Sequence, residues 1–379
     1  MFALPVLALV ALVAVPHLSA FLTSASLITR AAGLHGPWVD RVAAWHARAV
    51  TTEDMSFATR SGDVAARLYR PGGGVRRTVV LSAGVNPRGL DEPRLAAFSR
   101  AIAASGIAVV TPALPDLLDF RITPRLPDQI EDVARTVAGR PDLAPDGRVG
   151  LVGISFSGGL SIVAAGRPAL RQHAAFVVSL GGHGDLPRTV RFLATSTLPD
   201  GSRGAAHDYG LAVTLHNVVP GLVPPDQVEP LRGGLRTFLL ASTVYMSDAA
   251  EGRRLYDESV RLEATLPEPA RSLLHYANTR NVAALGPLVI PKLPDFTSDP
   301  ALSPERSPAP LATTFLLHGV DDNVIPAMEA QLLARSLEQR GTRVRVLVTP
   351  LVSHAAVTES PAPLDVLRLV RFWAGVVGR

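Results

Sequence analysis

The sequence has no cysteine among its 379 residues and only one lysine, Lys292. Without cysteine, disulfide bonds, thiolate metal sites and a cysteine nucleophile are excluded, although the cellular compartment is not decided. The basic side chains are therefore almost all arginines, and acidic residues balance them to a formal net charge of +4. No cluster of five or more basic residues occurs, so nucleic acid is not expected as a partner.

Charged residues are also scarce, at 18% of the chain, whereas 47% of the residues are hydrophobic. Disordered chains show the opposite balance, because they cannot bury enough apolar surface to offset the entropy lost on folding. A chain of this length can bury a large core, which predicts one large domain or a domain with an insertion.

The N-terminal segment differs in kind from the rest of the chain. Between Phe2 and Thr29 there is no Asp, Glu, Lys or Arg, and residues 2–15 are Ala, Leu, Val, Phe and Pro only. A bilayer is crossed by about 20 apolar residues, and a cleaved signal peptide normally begins with basic residues that are lacking here. Residues 1–28 are therefore predicted to form an uncleaved membrane anchor, with a signal peptide or a misassigned start codon as the alternatives.

The first positive charges after this segment are Arg30 and Arg41. Because basic residues accumulate on the cytoplasmic side of a span, they favour a cytoplasmic location for the rest of the chain. A secreted or periplasmic location would follow if the segment were a signal peptide. Residues 29–50, which carry Trp38 and Trp45, are predicted to form a juxtamembrane helix.

Short apolar runs alternate with helical patterns over residues 51–184 and again over 311–379. Continuous apolar strands of this kind indicate a mostly parallel central sheet with helices on both faces, which is an α/β fold. Over residues 185–310 the strands stop, and helical runs punctuated by prolines, one of them over residues 269–285, predict a large helical cap inserted into this domain. Residues 294–312, rich in proline and serine, are predicted to be its extended return.

One stretch has the form of a nucleophile elbow, a strand that turns at once into a helix with a serine at the apex. A buried strand over residues 149–153 leads to Ser155, and a helical run follows. The turn requires small residues two positions before and after the serine, and these are Gly153 and Ser157. The usual pattern is G-x-S-x-G, so Ser157 is a departure. Ser155 as an ordinary helix N-cap is the alternative interpretation.

A serine nucleophile needs a base, and the base needs an acid that holds it in the right tautomer. Asp322 lies in the loop after the apolar strand 313–317, and His354 lies in the loop after the strand 343–348. Asp321 is an alternative acid beside Asp322. Asp185, which follows the strand after the elbow, is another, although it also suits the N-cap of the first cap helix.

These motifs resemble those of the α/β-hydrolase family, in its serine esterase and lipase-like members with a helical cap. The matching pieces are Gly-Ile-Ser-Phe-Ser at 153–157, His-Gly-x-x-Asp at 318–322 followed by Ile-Pro, and Ser-His at 353–354. The resemblance covers roughly residues 50–379 apart from the cap. It implies that Ser155 is the nucleophile, Asp322 the acid and His354 the base, in the family's order along the chain.

The resemblance also implies two backbone N–H groups that stabilise the oxyanion, one from Phe156 and one from Val85. Many family members have His-Gly in the loop that supplies the second donor, whereas this chain has Ala-Gly-Val-Asn at 83–86. The geometry of this loop is therefore the open point in the predicted site.

The predicted function is a membrane-anchored serine hydrolase that cleaves carboxylic esters, with a lipophilic small molecule or lipid as substrate. No metal site and no cofactor are predicted, and the sequence does not identify protein partners. Thioesterase and peptidase activities suit the same fold, and a non-catalytic, membrane-tethered binding protein is the alternative from another class.

Overall fold

The computed structural model describes residues 3–352 and 362–379, with side chains described from residue 17 onward in the first helix. Eight strands in this part of the chain form one sheet. Their bounds are β1 (Val50–Thr59), β2 (Gly62–Pro71), β3 (Thr78–Ser82), β4 (Ala108–Pro112), β5 (Val149–Ile154), β6 (Ala174–Leu180), β7 (Thr313–Gly319) and β8 (Val344–Thr349).

The sheet has the strand order β1-β2-β4-β3-β5-β6-β7-β8. Strands β1 and β2 form an antiparallel hairpin, and β2 also pairs antiparallel with β4. All the other neighbouring pairs are parallel. The carboxyl ends of β3 to β8 therefore lie at one edge of the sheet, where open α/β sheets bind their ligands.

The helices flank the sheet or lie in the insertion between β6 and β7. Their bounds are α1 (Ala3–Ala31), α2 (Pro37–Ala43), α3 (Pro93–Ala104), α4 (Pro115–Leu118), α5 (Arg125–Ala138), α6 (Phe156–Gly166), α7 (Leu186–Thr195), α8 (Asp208–Val218), α9 (Pro225–Tyr245), α10 (Ala249–Glu263), α11 (Ala270–Asn278), α12 (Val282–Val289), α13 (Leu293–Thr297), α14 (Ala327–Gln339) and α15 (Pro363–Val377).

Alternate residues of the central strands face two separate cores. Val80 of β3 belongs to the core that contains Leu160 of α6, whereas its neighbour Val79 belongs to the core that contains Phe372 of α15. Both faces of the sheet are thus covered by helices, which explains why the strands read as continuous apolar runs. The predicted fold class, a mostly parallel α/β sheet with helices on both faces and a helical insertion, is confirmed.

The insertion differs from the prediction in two places. One predicted helix over residues 269–285 is two, because Arg280 adopts a φ of 55° and the Asn281 side chain caps α12 by accepting the N–H of Ala284. The predicted extended return over 294–312 is partly helical. Proline is the second residue of α13 and the first residue of the turns Pro300–Leu302 and Pro304–Arg306, and proline in the first turn favours these short helices.

The end of the predicted anchor packs into the domain. Leu27 is 2% exposed and belongs to the same core as Trp373 of α15. The Arg30 guanidinium donates to the carbonyl oxygens of Ala43 and Ala101, which ties α1 to α2 and α3. Among the described residues, no helix is both long and apolar enough to cross a bilayer. The predicted anchor lies largely outside the residues whose side chains are described, so it stays a prediction.

Candidate active site

Ser155 sits at a sharp turn between a central strand and a helix. Strand β5 ends at Ile154, α6 begins at Phe156, and Ser155 between them has φ 56° and ψ −134°. A positive φ is costly for a residue with a Cβ, and such strain concentrates at functional sites. The N–H of Ser155 donates to the carbonyl oxygen of Leu180 at 2.8 Å, which fixes the turn to β6. This is the backbone geometry that the nucleophile-elbow prediction requires.

The turn is so tight that position 153 admits only glycine. A Cβ on Gly153 would lie 2.1 Å from the carbonyl oxygen of Ser157, well inside contact distance. Gly158 is equally confined, since a Cβ there would lie 2.4 Å from the hydroxyl oxygen of Ser179. The small residues of the motif are thus a packing requirement of the elbow.

Ser157, the departure from the usual pattern, makes a contact that glycine cannot make. Its hydroxyl donates to the carbonyl oxygen of Ala83 at 2.5 Å. Ala83 opens the 83–86 loop, whose geometry the sequence left open. The elbow helix therefore holds this loop directly.

The segments that carry the predicted oxyanion donors both adjoin Ser155. Phe156 is the first residue of α6, so its N–H has no acceptor within the helix, and the helix N-terminus favours negative charge. On the other side, a Cβ on Gly84 would lie 3.3 Å from the Cβ of Ser155. Because Gly84 adjoins Val85, the 83–86 loop passes close to the serine.

Asp322 is the buried member of its aspartate pair. It is 7% exposed, and its Oδ1 accepts the N–H groups of Val324 and Ile325, each at 2.9 Å. Asp321 is exposed to solvent. Two backbone donors on one oxygen fix the orientation of the Asp322 carboxylate, which suits a residue that must orient a base.

His318, at the end of β7, contacts the loop that carries Asp322. Its Nε2 lies 2.6 Å from the carbonyl oxygen of Ile325, to which it must donate, and 3.4 Å from Oδ2 of Asp322. The ring is 1% exposed. These contacts give His318 a structural role in shaping the loop.

His354 lies outside the described residues, and its role as the base stays a prediction. The strand that precedes it is described, however. Strands β7 and β8 are parallel neighbours, and beyond β7 the N–H of Val320 donates to the carbonyl oxygen of Thr349 at 3.0 Å. The chain segments that lead to Asp322 and to His354 therefore leave the sheet side by side.

The carboxylate of Asp185, the other candidate acid, binds a helix N-terminus and an arginine. One carboxylate oxygen accepts the N–H of Arg188 and caps α7, and the other accepts from Arg306 at 2.6 Å. Arg188 itself forms ion pairs with Glu305 and with the buried Glu329, each at 2.6 Å. Asp185 thus belongs to an ionic cluster that joins the beginning and the end of the cap.

The cap lies over the carboxyl edge of the sheet and contacts both the 83–86 loop and the loop of Asp322. The N–H of His207 donates to the carbonyl oxygen of Asn323 at 2.8 Å, and the Tyr209 hydroxyl donates to the carbonyl oxygen of Val85 at 3.3 Å. Sequence reasoning did not single out Tyr209, because the cap shows no motif in this region. The one feature of Tyr209 that the sequence shows is its place near the start of a predicted cap helix.

Comparison with known proteins gave structural likenesses only. No protein-family model and no curated protein matched the sequence. An esterase from Pyrobaculum calidifontis is similar with a TM-score of 0.49 and 17% identity, over 87% of this chain and 86% of the esterase. A putative dienelactone hydrolase from Klebsiella pneumoniae has a TM-score of 0.42 and 13% identity, over 86% of this chain and 99% of that one. An acylaminoacyl peptidase from Pyrococcus horikoshii has a TM-score of 0.43 and 12% identity, over 82% of this chain and 38% of the peptidase chain. Likenesses this distant do not assign a reaction or a substrate to this chain.

Proposed function

We propose that this protein is a serine hydrolase that cleaves carboxylic esters with Ser155 as nucleophile. The observation that carries the proposal is the strained backbone of Ser155 at a strand-to-helix turn, beside the 83–86 loop. An N-cap serine needs no positive φ, because N-cap residues ordinarily adopt an extended conformation. The strain is explained if the turn serves to present the hydroxyl to a substrate.

In the proposed reaction the Ser155 hydroxyl attacks the ester carbonyl carbon while His354 accepts its proton. The negative charge that develops on the carbonyl oxygen is stabilised by the N–H groups of Phe156 and Val85. His354 then gives the proton to the departing alcohol, which leaves an acyl-enzyme, and water hydrolyses this by the same steps. Asp322 orients His354 throughout.

We propose lipophilic esters as the substrate class, delivered at a membrane surface. The support is the apolar N-terminal segment together with two exposed tryptophans, Trp38 at 75% and Trp45 at 42%. Phe238 and Leu239 of α9 give no further support, since both are buried in the hydrophobic core.

The experiment that tests the proposal is covalent labelling with a fluorophosphonate probe, which reacts with activated serines. The wild-type protein is expected to label and Ser155→Ala to remain unlabelled. Ser161→Ala is the matched control, because this serine is buried in the same helix and is expected to leave labelling unchanged. Equal labelling of Ser155→Ala and wild type would contradict the proposal, and no labelling of either would favour the non-catalytic alternative.

A panel of p-nitrophenyl esters of increasing acyl length tests the substrate class separately. Long acyl chains are expected to give the higher kcat/KM. A profile that favours acetate would retain the esterase and refute the lipophilic substrate.

A further inference from the structure

The 83–86 loop beside Ser155 is held by hydroxyl groups from two different parts of the molecule. The Ser157 hydroxyl, from the elbow helix, donates to the carbonyl oxygen of Ala83. The Tyr209 hydroxyl, from the cap, donates to the carbonyl oxygen of Val85 at 3.3 Å. A carbonyl oxygen can only accept, so the direction of both bonds is fixed. One anchor belongs to the sheet domain and the other to the insertion.

The same turn of the cap also reaches the loop that carries the acid. The backbone N–H of His207 donates to the carbonyl oxygen of Asn323, the residue after Asp322. Residues 207–209 thus bridge the loops of Val85 and Asp322.

Further contacts stabilise residues 207–209 in this position. The ring Nδ1 of His207 accepts the N–H of Tyr209 at 3.1 Å, which caps the start of α8. Asp208 pairs with Arg280 at 3.0 Å, and this joins α8 to the turn before α12. Burial raises the pKa of Tyr209 to about 12, so its hydroxyl keeps the proton that it donates at neutral pH.

We propose that Tyr209 is a positioning residue through which the cap completes the oxyanion hole. Its hydroxyl fixes the Val85 carbonyl, and this restrains the backbone of the residue that would supply the second oxyanion donor. The inference rests on the proposed function, because an oxyanion hole has meaning only if Ser155 is the nucleophile. It explains how the loop keeps its geometry with Ala-Gly at 83–84 in place of the more usual His-Gly.

A positioning role predicts that removing the Tyr209 hydroxyl weakens stabilisation of the transition state and leaves binding of the substrate in the ground state unchanged. An oxyanion donor works on the charge that develops during reaction, so misplacing it lowers kcat while leaving KM nearly unchanged. Removal of a donor itself costs about 100- to 1,000-fold, and loosening its support is expected to cost about tenfold.

The test compares Tyr209→Phe with Tyr245→Phe in the full chain, using p-nitrophenyl butyrate as substrate. Both changes remove one cap hydroxyl, and Tyr245 lies at the exposed end of α9. Tyr209→Phe is expected to lower kcat about tenfold and to leave KM within about twofold. It is also expected to weaken inhibition by phenylboronic acid, which forms a tetrahedral adduct with an activated serine, in parallel with kcat. Tyr245→Phe is expected to match the wild type in kcat, KM and inhibition.

An unchanged kcat in Tyr209→Phe overturns the inference, and so does a raised KM at constant kcat, which would assign Tyr209 to substrate binding. If Tyr209→Phe does not fold, replacing Tyr209 with a fluorinated tyrosine keeps its shape and lowers the pKa of its phenol. The expected result is then a loss of kcat at the pH where that phenol ionises, and a pH profile like that of the wild type overturns the inference. Activity that persists in Ser155→Ala would instead refute the proposed function, so the two failures are distinguishable.

Discussion

The Ser157 hydroxyl oxygen lies 2.5 Å from the carbonyl oxygen of Ala83. This bond connects the residue that departs from the usual nucleophile motif with the loop that departs from the usual oxyanion sequence. Ser157 is fully buried, so the hydroxyl needs a partner, and the carbonyl of Ala83 meets that need. The two departures are therefore coupled in space, and a glycine at position 157 would leave the loop without this anchor.

Ser157→Ala tests this coupling, because it removes the hydroxyl and keeps the backbone restricted. We expect the free energy of unfolding to fall by about 1 kcal/mol, the typical net contribution of one hydrogen bond. We also expect kcat to fall several-fold as the loop loosens. Urea unfolding and p-nitrophenyl ester hydrolysis measure the two effects.

Ser161→Ala is the control for Ser157→Ala. Ser161 is also buried in α6, but its hydroxyl has no hydrogen-bond partner among the described residues. Its removal is expected to be neutral or slightly stabilising, since an unsatisfied buried hydroxyl is itself a cost. If both variants behave alike, the Ser157–Ala83 bond does not contribute as stated.

Gly153→Ala tests the packing of the elbow. The new methyl group would lie 2.1 Å from the carbonyl oxygen of Ser157, and neither backbone segment can move without breaking the turn. We expect a loss of about 3 kcal/mol or more, at the upper end of overpacking costs, together with loss of activity. Thermal unfolding and probe labelling are the measurements.

The matched glycine is Gly233 within helix α9, where a Cβ would meet no atom of the described residues within 4 Å beyond its chain neighbours and the nearby backbone of its own helix. Gly233→Ala is expected to stabilise the protein by about 0.5–1 kcal/mol through its higher helix propensity. A Gly153→Ala protein as stable and active as the wild type would refute the packing requirement.

The sequence predicts those parts of the fold whose signal is local. Buried strands such as β5 are uniformly apolar, and the elbow is a short motif with a fixed steric requirement. Contacts made between distant segments leave no such signal. The bond from Tyr209 to Val85 joins residues 124 positions apart, and the burial of Leu27 depends on α15 at the other end of the chain. For the same reason the composition of residues 2–29 does not show at which residue the apolar segment begins to pack against the domain.

His216, in the cap, predicts how stability depends on pH. Burial lowers the pKa of this histidine from 6.5 to about 4; Arg232 and Arg236 act in the same direction, and Asp119 opposes them. Between these two pH values the unfolded chain carries a proton that the folded chain lacks, so acidification favours unfolding. Full stability is present above about pH 6.5 and is lost as the pH falls toward about 4.

His216→Leu removes this titration and keeps a side chain of similar size. One pKa unit corresponds to about 1.4 kcal/mol, so the wild type is expected to lose roughly 3 kcal/mol more than the variant between neutral pH and about pH 4. Urea unfolding at a series of pH values measures the difference. Parallel curves for the two proteins would show that His216 does not carry the pH dependence.

The exposed tryptophans predict how the protein meets a membrane. None of the residues of α2 is buried, yet this helix carries Trp38, and the Arg41 guanidinium lies 4.7 Å from the centre of that ring. Tryptophan and arginine together suit the headgroup region, where an aromatic ring contacts acyl chains and a cation contacts phosphate. We therefore expect α2 to lie in the interface when residues 1–16 are embedded.

The chain contains three tryptophans, and the third, Trp373, is 5% exposed in the core. Vesicles of phosphatidylcholine and phosphatidylglycerol with bromine near the top of the acyl chains should quench Trp38 and Trp45 but not Trp373. A variant with Trp38→Phe and Trp45→Phe should keep only unquenched emission. If the wild type co-floats with the vesicles and its fluorescence is not quenched, the N-terminal segment binds alone and α2 stays in water. The absence of co-flotation would refute the membrane association itself.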